Sequence, residues 1–354
     1  MPIPTEPIGS IPRPPKLVAA IKELQEGRPP NGDLDALYDD ALRDTIRRFE
    51  ATGSPVITDG EQTKPSFATY PFHGLGNLAG DGVTVPFADG HVRRLPRLVS
   101  GPFRYQHYAA SFLEKARTYT KVPLKQAVIS ASLLSLLYPQ AGIDGYPREQ
   151  FLDDLVREAV TEIRGCLEKG AAKVQIDFTE GRLSLKLDPS GKVLEQFINL
   201  NNQVLNHFSA HERLRIGVHT CPGGDLDATH SADVDYAGLL PNLFKLNASN
   251  FYIQLASEKD RPRTLRLIQQ HSRADQKIFV GVIDPINPHI ETTEEVRDRV
   301  LEAAEFIPPE RLGTTDDCGF SPFSDDTSTS RETAFEKITA RVIGTDLANR
   351  KLDS

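Results

Sequence analysis

Eight short runs rich in β-branched and aromatic residues recur along this chain, and most of the gaps between them leave room for a helix. They are EPIGSI (6–11), PVITDGE (55–61), QAVISAS (126–132), KVQIDF (173–178), RIGVHTC (215–221), NFYIQLA (250–256), KIFVGVID (277–284) and LGTTDDCG (312–319). Several are apolar at consecutive positions, as strands covered on both faces must be. The stretches LDALYDDALRDTIRRFEATG, EQFLDDLVREAVTEIRGCLEKG, TEEVRDRVLEAAEFI and SRETAFEKITARVIGTDLANRKL carry the spacing of amphipathic helices. Thr292 or Thr293 stands where a cap belongs ahead of Glu294, and Gly170 closes the helix holding Cys166. Eight strand–helix units predict an α/β fold, a single (β/α)8 TIM-type barrel occupying residues 1–354 as one domain. The rival, an open doubly wound sheet, lacks its GxGxxG after an early strand. One interruption after the second strand, about residues 64–120, contains VTVPFADGHVRRLPRL, which reads as a hairpin-bearing insertion.

The formal net charge is −8 and no Lys/Arg block is present, which argues against nucleic acid and anionic membranes as partners. No apolar stretch approaches the ~18 residues that suggest a membrane span. The opening MPIPTEPIGS has no basic region followed by an apolar run, so a cytoplasmic address is expected. Three cysteines, Cys166, Cys221 and Cys318, do not make a disulfide framework.

Two of those cysteines carry the chemistry. Residues i and i+2 of a strand share a face, so His219 and Cys221 can aim an imidazole and a thiol at one point. Cys318 ends the eighth predicted strand, and barrel chemistry gathers at the C-terminal strand ends. One neutral imidazole and two thiolates suit Zn2+, and three protein ligands leave a position open for substrate. The plain alternative is a turn histidine beside two small buried residues. Cys166, inside an amphipathic helix, reads as a buried hydrophobe.

The order IGSIPRP, TDGEQTKPSF, VQIDF, GVHTC, TTDDCGF resembles the C-terminal zinc barrel of cobalamin-independent methionine synthases and their single-barrel relatives. HTCPGGD, IQLASE and DDCGFSPF are most similar to the epoxyalkane:coenzyme M transferase branch. The resemblance implies a thiol bound to zinc as thiolate, which attacks an electrophilic carbon. It implies His219, Cys221 and Cys318 as zinc ligands. Ile8 and Ser10 would contact the thiol substrate, and Glu61 and Asp177 would hold its amino group. Methionine synthases add a glutamate ligand from the next strand; Gln254 stands at that fourth-ligand position here, with Glu258 four residues later.

Such a reaction needs an acid for the leaving atom. Asp225, His230, Asp284 and Asp317 are the candidates as acids or as residues supporting the metal ligands, with Asp316 and Asp227 nearby. Arg13 or Lys64 could pair with an anionic group on the thiol, and Arg93 or Arg94 with an anionic donor; exposed charge is the alternative for each. The expected function is a zinc-dependent thiol methyl- or alkyltransferase acting on a small-molecule thiol and an alkyl donor, compatible with a homo-oligomer. The competing readings are a non-catalytic zinc- or ligand-binding barrel, a cobalamin-using methyltransferase and a porphyrin-type decarboxylase.

Overall fold

The computed structural model describes residues 2–353. Its centre is a six-stranded, fully parallel sheet whose spatial order follows chain order. The strands are Lys125–Ile129, Lys173–Asp177, Ile216–Thr220, Asn250–Ile253, Lys277–Ile283 and Leu312–Asp316. At one edge Thr5 bridges to Thr314, and at the other Ile57 bridges to Leu124. These two flanking segments meet through Ile11 N–H, which donates to Gly60 O at 3.0 Å, and Thr58 Oγ1, which donates to Gly9 O at 2.8 Å.

The first two expected strands are therefore corrected to single bridges. Pro7, Pro12 and Pro14 have no N–H to give, so the first segment cannot continue a ladder beyond Thr5. Gly60 and Glu61, both at positive φ (64° and 55°), turn the second segment away just after Ile57.

Each sheet strand is followed by helix, as short loops between parallel strands require. Arg148–Glu168, Lys192–Leu205, Tyr236–Leu243, Arg261–His271, Thr293–Ala304 and Arg331–Leu352 cover the outer face. Thr292 is the cap of Thr293–Ala304, in a capping box with Glu295. Gly170 sits at φ 84° just past the C-cap of Arg148–Glu168, where a left-handed residue ends a helix. No helix among the described residues is long and apolar enough to cross a membrane.

The two faces of the sheet are built differently. Val174, Ile176, Val218, Phe251, Ile253, Ile278, Val280 and Val282 join the large apolar core. The other face holds Tyr252 and Phe279, stacked at 4.7 Å with Ile8 against them. Gly217 and Gly313 make room for those rings: a Cβ would lie 2.5 Å from Tyr252 and 2.3 Å from Phe279. Beyond the rings that interior face turns polar, with Gln175, Asp177 and His219 all buried.

The insertion contributes the expected hairpin. Thr84–Pro86 pairs antiparallel with Val92–Arg94, and Gly90 at φ 93° takes the turn.

Candidate metal centre and its cavity

His219 lies in the strand Ile216–Thr220 and Cys221 one residue past its end, while Cys318 follows the strand Leu312–Asp316. Their ligand atoms all lie within 4.8 Å of one another, and all three residues are buried. The two Sγ atoms are 3.1 Å apart. That contact, with the His219 imidazole beside it, holds the Cys318 thiol well below the usual range. The same contact, reinforced by burial, pushes the Cys221 thiol up.

Neither ring nitrogen of His219 has a hydrogen-bond partner among the described residues, although the residue is 1% exposed. Burying an imidazole without a partner is costly. A cation shared with two sulfurs removes that cost, so these residues fit a zinc ion.

Above the trio opens a cavity of about 470 Å³. His219, Cys318, Glu61, Asp177, Ile8, Ser10 and His230 line it, with Phe67, Phe87 and Leu183 supplying apolar wall. Asp177 is register partner to His219, and its Oδ1 accepts from Gln175 Nε2 at 2.8 Å. Burial raises its carboxyl, against the lowering pull of His219.

Glu61 enters the cavity from a left-handed backbone, φ 55°, which a glutamate rarely adopts. Lys64 Nζ lies 3.4 Å from its Oε1, while its Oε2 is buried with no hydrogen-bond partner among the described residues. Burial, with Asp177 and Asp59 nearby, pushes its carboxyl up to about 7 against the pull of Lys64. Ser10 Oγ accepts from Ser321 N–H at 3.2 Å, and Ser10 O from Phe320 N–H at 3.0 Å. The loop expected to hold substrate is thereby tied to the loop bearing Cys318.

Several expected roles change. Asp225 does not support His219; it is paired with Arg93 and with His91 Nε2, at 3.0 Å, because its short hairpin faces the insertion. Asp317 accepts from Leu255, Ala256 and Ser257 N–H and from Ser257 Oγ, at 2.7–2.8 Å, and so braces a neighbouring loop. Asp284 caps its own turn by accepting from Ile286 and Asn287 N–H. Gln254 follows the strand Asn250–Ile253; its Oε1 accepts from Arg182 and Tyr236 and its Nε2 donates to Ser257. Of Asp225, His230, Asp284 and Asp317 only His230 lines the cavity, and burial with Lys186 and Arg182 nearby pushes its ring down to about 4.

Arg13 and Lys64 are neither exposed nor free for substrate. Arg13 donates to Ser321 O, Phe323 O, Glu61 O and Lys64 O. Lys64 donates to Ala127 O at 2.8 Å and sits over the Tyr70 ring. Arg93 is likewise engaged, by Asp225 and Asp325, and both it and the exposed Arg94 line the cavity.

Sequence reasoning missed Glu180, a third buried carboxylate in the cavity wall at the first position of the helix Glu180–Leu187. Its only signal was an acid three residues after Asp177, in a turn whose direction the sequence does not reveal.

Residues 3–331 match the family described as the catalytic domain of cobalamin-independent synthase. The methionine synthase of Saccharolobus solfataricus is 24% identical, with 99% of this chain and 96% of that protein covered. That of Sulfolobus acidocaldarius is also 24% identical, over 99% and 93%. Among solved structures, a B12-independent methionine synthase from Shewanella sp. W3-18-1 in complex with selenomethionine superposes with a TM-score of 0.77 at 22% identity, covering 99% of both chains. A methyltransferase from Methanosarcina mazei gives 0.54 at 12% identity, covering 98% of this chain and 94% of that one.

Proposed function

This chain belongs to the cobalamin-independent synthase family, and on that premise we propose that it is a zinc-dependent methyltransferase acting on an amino-bearing thiol such as homocysteine. The observation that carries the reading is the convergence of His219, Cys221 and Cys318 beneath a cavity that also presents Glu61 and Asp177. Methionine synthases at 24% identity over nearly the full length support the same reaction class.

His219, Cys221 and Cys318 would hold the zinc, which when bound favours the thiolate form of a thiol substrate. The protein's own residues then set orientation. Lys64 occupies Glu61 Oε1 and leaves Oε2 to accept a hydrogen bond from a substrate ammonium. Asp177, on the strand beside His219, offers a second acceptor in the same cavity. Ile8 and Ser10, fixed by Asp316 and Ser321, close the side of the cavity nearest the Cys318 loop. The apolar wall from Phe67, Phe87 and Leu183 lowers the local dielectric, which strengthens each polar contact to the substrate.

The test is proton release on mixing zinc-loaded protein with homocysteine, followed by S-methyl product formation with a methyl donor. About one proton per chain is expected, since a thiol with a pKa near ~8.5 arrives mostly protonated at neutral pH. Coenzyme M serves as the comparison thiol; equal or better use of it would move the substrate toward the epoxide-opening branch. Stoichiometric zinc with no proton release from either thiol would leave a non-catalytic binding barrel.

A further inference from the structure

Three buried carboxylates face one cavity, and they are not equivalent. Glu61 has the Lys64 ammonium, and Asp177 has His219 beside it and Gln175 donating to it. Glu180 has no cation paired with it among the described residues; its own backbone N–H and two serine hydroxyls are its donors. Its Oε1 accepts from Ser130 Oγ at 2.6 Å and from Ser132 Oγ, and Ser132 is in turn held by Asn201 Nδ2 at 2.7 Å. Two hydroxyl donors on one oxygen leave the other to carry a proton. That other atom, Oε2, is buried with no partner among the described residues.

Burial, with Asp177 acting as a further like charge, pushes the Glu180 carboxyl up to about 7, while the two serines pull it the other way. Asp177, Glu61, His219, Cys318 and His230 share the cavity with it from the neighbouring strand ends and loops, and His73, Arg93, Arg94 and Asp325 also line it. Three carboxylates in one enclosed space cannot all ionise cheaply, so the one without a cation keeps its proton. The same device holds a carboxylic acid neutral as a donor in other enzymes.

We propose that Glu180 is the general acid of the transfer, its Oε2–H delivering a proton to the atom that leaves the alkyl carbon. The proposal rests on the thiolate reading above. The thiolate sulfur forms the new S–C bond, and the bond from that carbon to the leaving atom breaks with its electron pair on the leaving atom. The Glu180 proton moves to that atom. The carboxylate left behind keeps its two serine hydrogen bonds and regains a proton from the next thiol that ionises in the site. Thiol and alkyl donor thus become thioether and protonated leaving group, with nothing else consumed.

The test uses the zinc-loaded full chain, homocysteine and two small electrophiles. Iodide leaves methyl iodide without needing a proton, whereas the oxygen of propylene oxide must be protonated. Glu180→Gln is expected to slow propylene oxide opening by about 100-fold and methyl iodide by less than about threefold. Ser132→Ala, a milder change, should show a smaller loss of the same selectivity. Equal effects on both electrophiles, or none on the epoxide, would overturn the assignment while methyl iodide turnover kept the thiolate reading intact. Failure of wild type with both would remove that reading and this one together. Infrared difference spectra of the metal-free protein give a second readout. At about pH 6, where an ordinary glutamate is ionised, Glu180→Gln should lose one protonated-carboxyl component from the wild-type band while those of Glu61 and Glu162 remain; an unchanged band would overturn the assignment.

Discussion

Asp225 grips Arg93 with both carboxylate oxygens, Oδ2 to Nε at 2.5 Å and Oδ1 to Nη2 at 3.0 Å, across 132 residues of chain. Asp225 belongs to the short hairpin following Cys221, and Arg93 to the hairpin of the insertion. The pair therefore fastens the cover of the cavity to the loop beside the metal ligands. Arg93→Ala leaves a fully buried carboxylate with His91 as its one side-chain partner among the described residues and should cost about 2 kcal/mol. Hydrogen exchange should rise at Ala88, which donates to Thr229 O, and at Leu95, while the central strands stay protected. Unchanged exchange at both amides would show that the cover is held by its apolar contacts instead.

Zinc content should follow the sulfur that lies farthest along the chain. Cys318→Ser, dialysed alongside wild type, should retain well under the one zinc per chain expected of the native protein. Cys166→Ser should retain it all, because Cys166 is buried in the helix Arg148–Glu168 and absent from the ligand cluster. Equal zinc in wild type and Cys318→Ser would detach Cys318 from the centre.

Gly223 is pressed against His230 with no space for a side chain. A Cβ there would fall 1.8 Å from His230 Nε2, and the backbone stands at φ 71°. Its N–H also donates to Cys221 Sγ at 3.3 Å. Gly223→Ala should combine steric and backbone strain, lowering stability by roughly 2 kcal/mol and weakening zinc at least tenfold. Competition with a chromophoric chelator reads the second effect; unaltered affinity would mean that the loop after Cys221 relaxes freely.

Glu162 gives a pH dependence remote from the metal centre. It accepts from Tyr70 OH and from Ala109 N–H inside the protein, and burial pushes its carboxyl up to about 7 from an ordinary 4.5. The folded state then binds more protons than the unfolded chain between those values, so stability falls as pH rises through that window. The full cost is about 3 kcal/mol and is complete above about pH 7. Urea midpoints of wild type and Glu162→Gln from pH 4 to 8 should diverge by that slope; parallel curves would assign the proton elsewhere.

The convergence of His219, Cys221 and Cys318 was legible because its signal is local. His219 and Cys221 are two apart at a strand end, and Cys318 sits at the corresponding end of another strand. The parallel arrangement was legible for six strands, whose apolar runs leave little choice of face. Partnerships were not. Nothing in VRRLPRL says which arginine meets Asp225, and nothing in IGSIPRP says that Arg13 is buried. Charge in a sequence reads as exposed by default, since burying it requires partners set by the tertiary fold. Glu180 escaped for the same reason, its two serine donors lying 48 and 50 residues upstream.

Arg13 has a consequence for how the cavity moves. Its two terminal nitrogens bind carbonyls of residues 61 and 64 on one side and 321 and 323 on the other. A flat, rigid cation spanning both loops removes their freedom to drift separately. The carboxylate of Glu61 and the sulfur of Cys318 therefore ride on a common frame. Thermal motion can tilt that frame, but it changes the spacing between the two grips very little, and the substrate meets a ruler of fixed length.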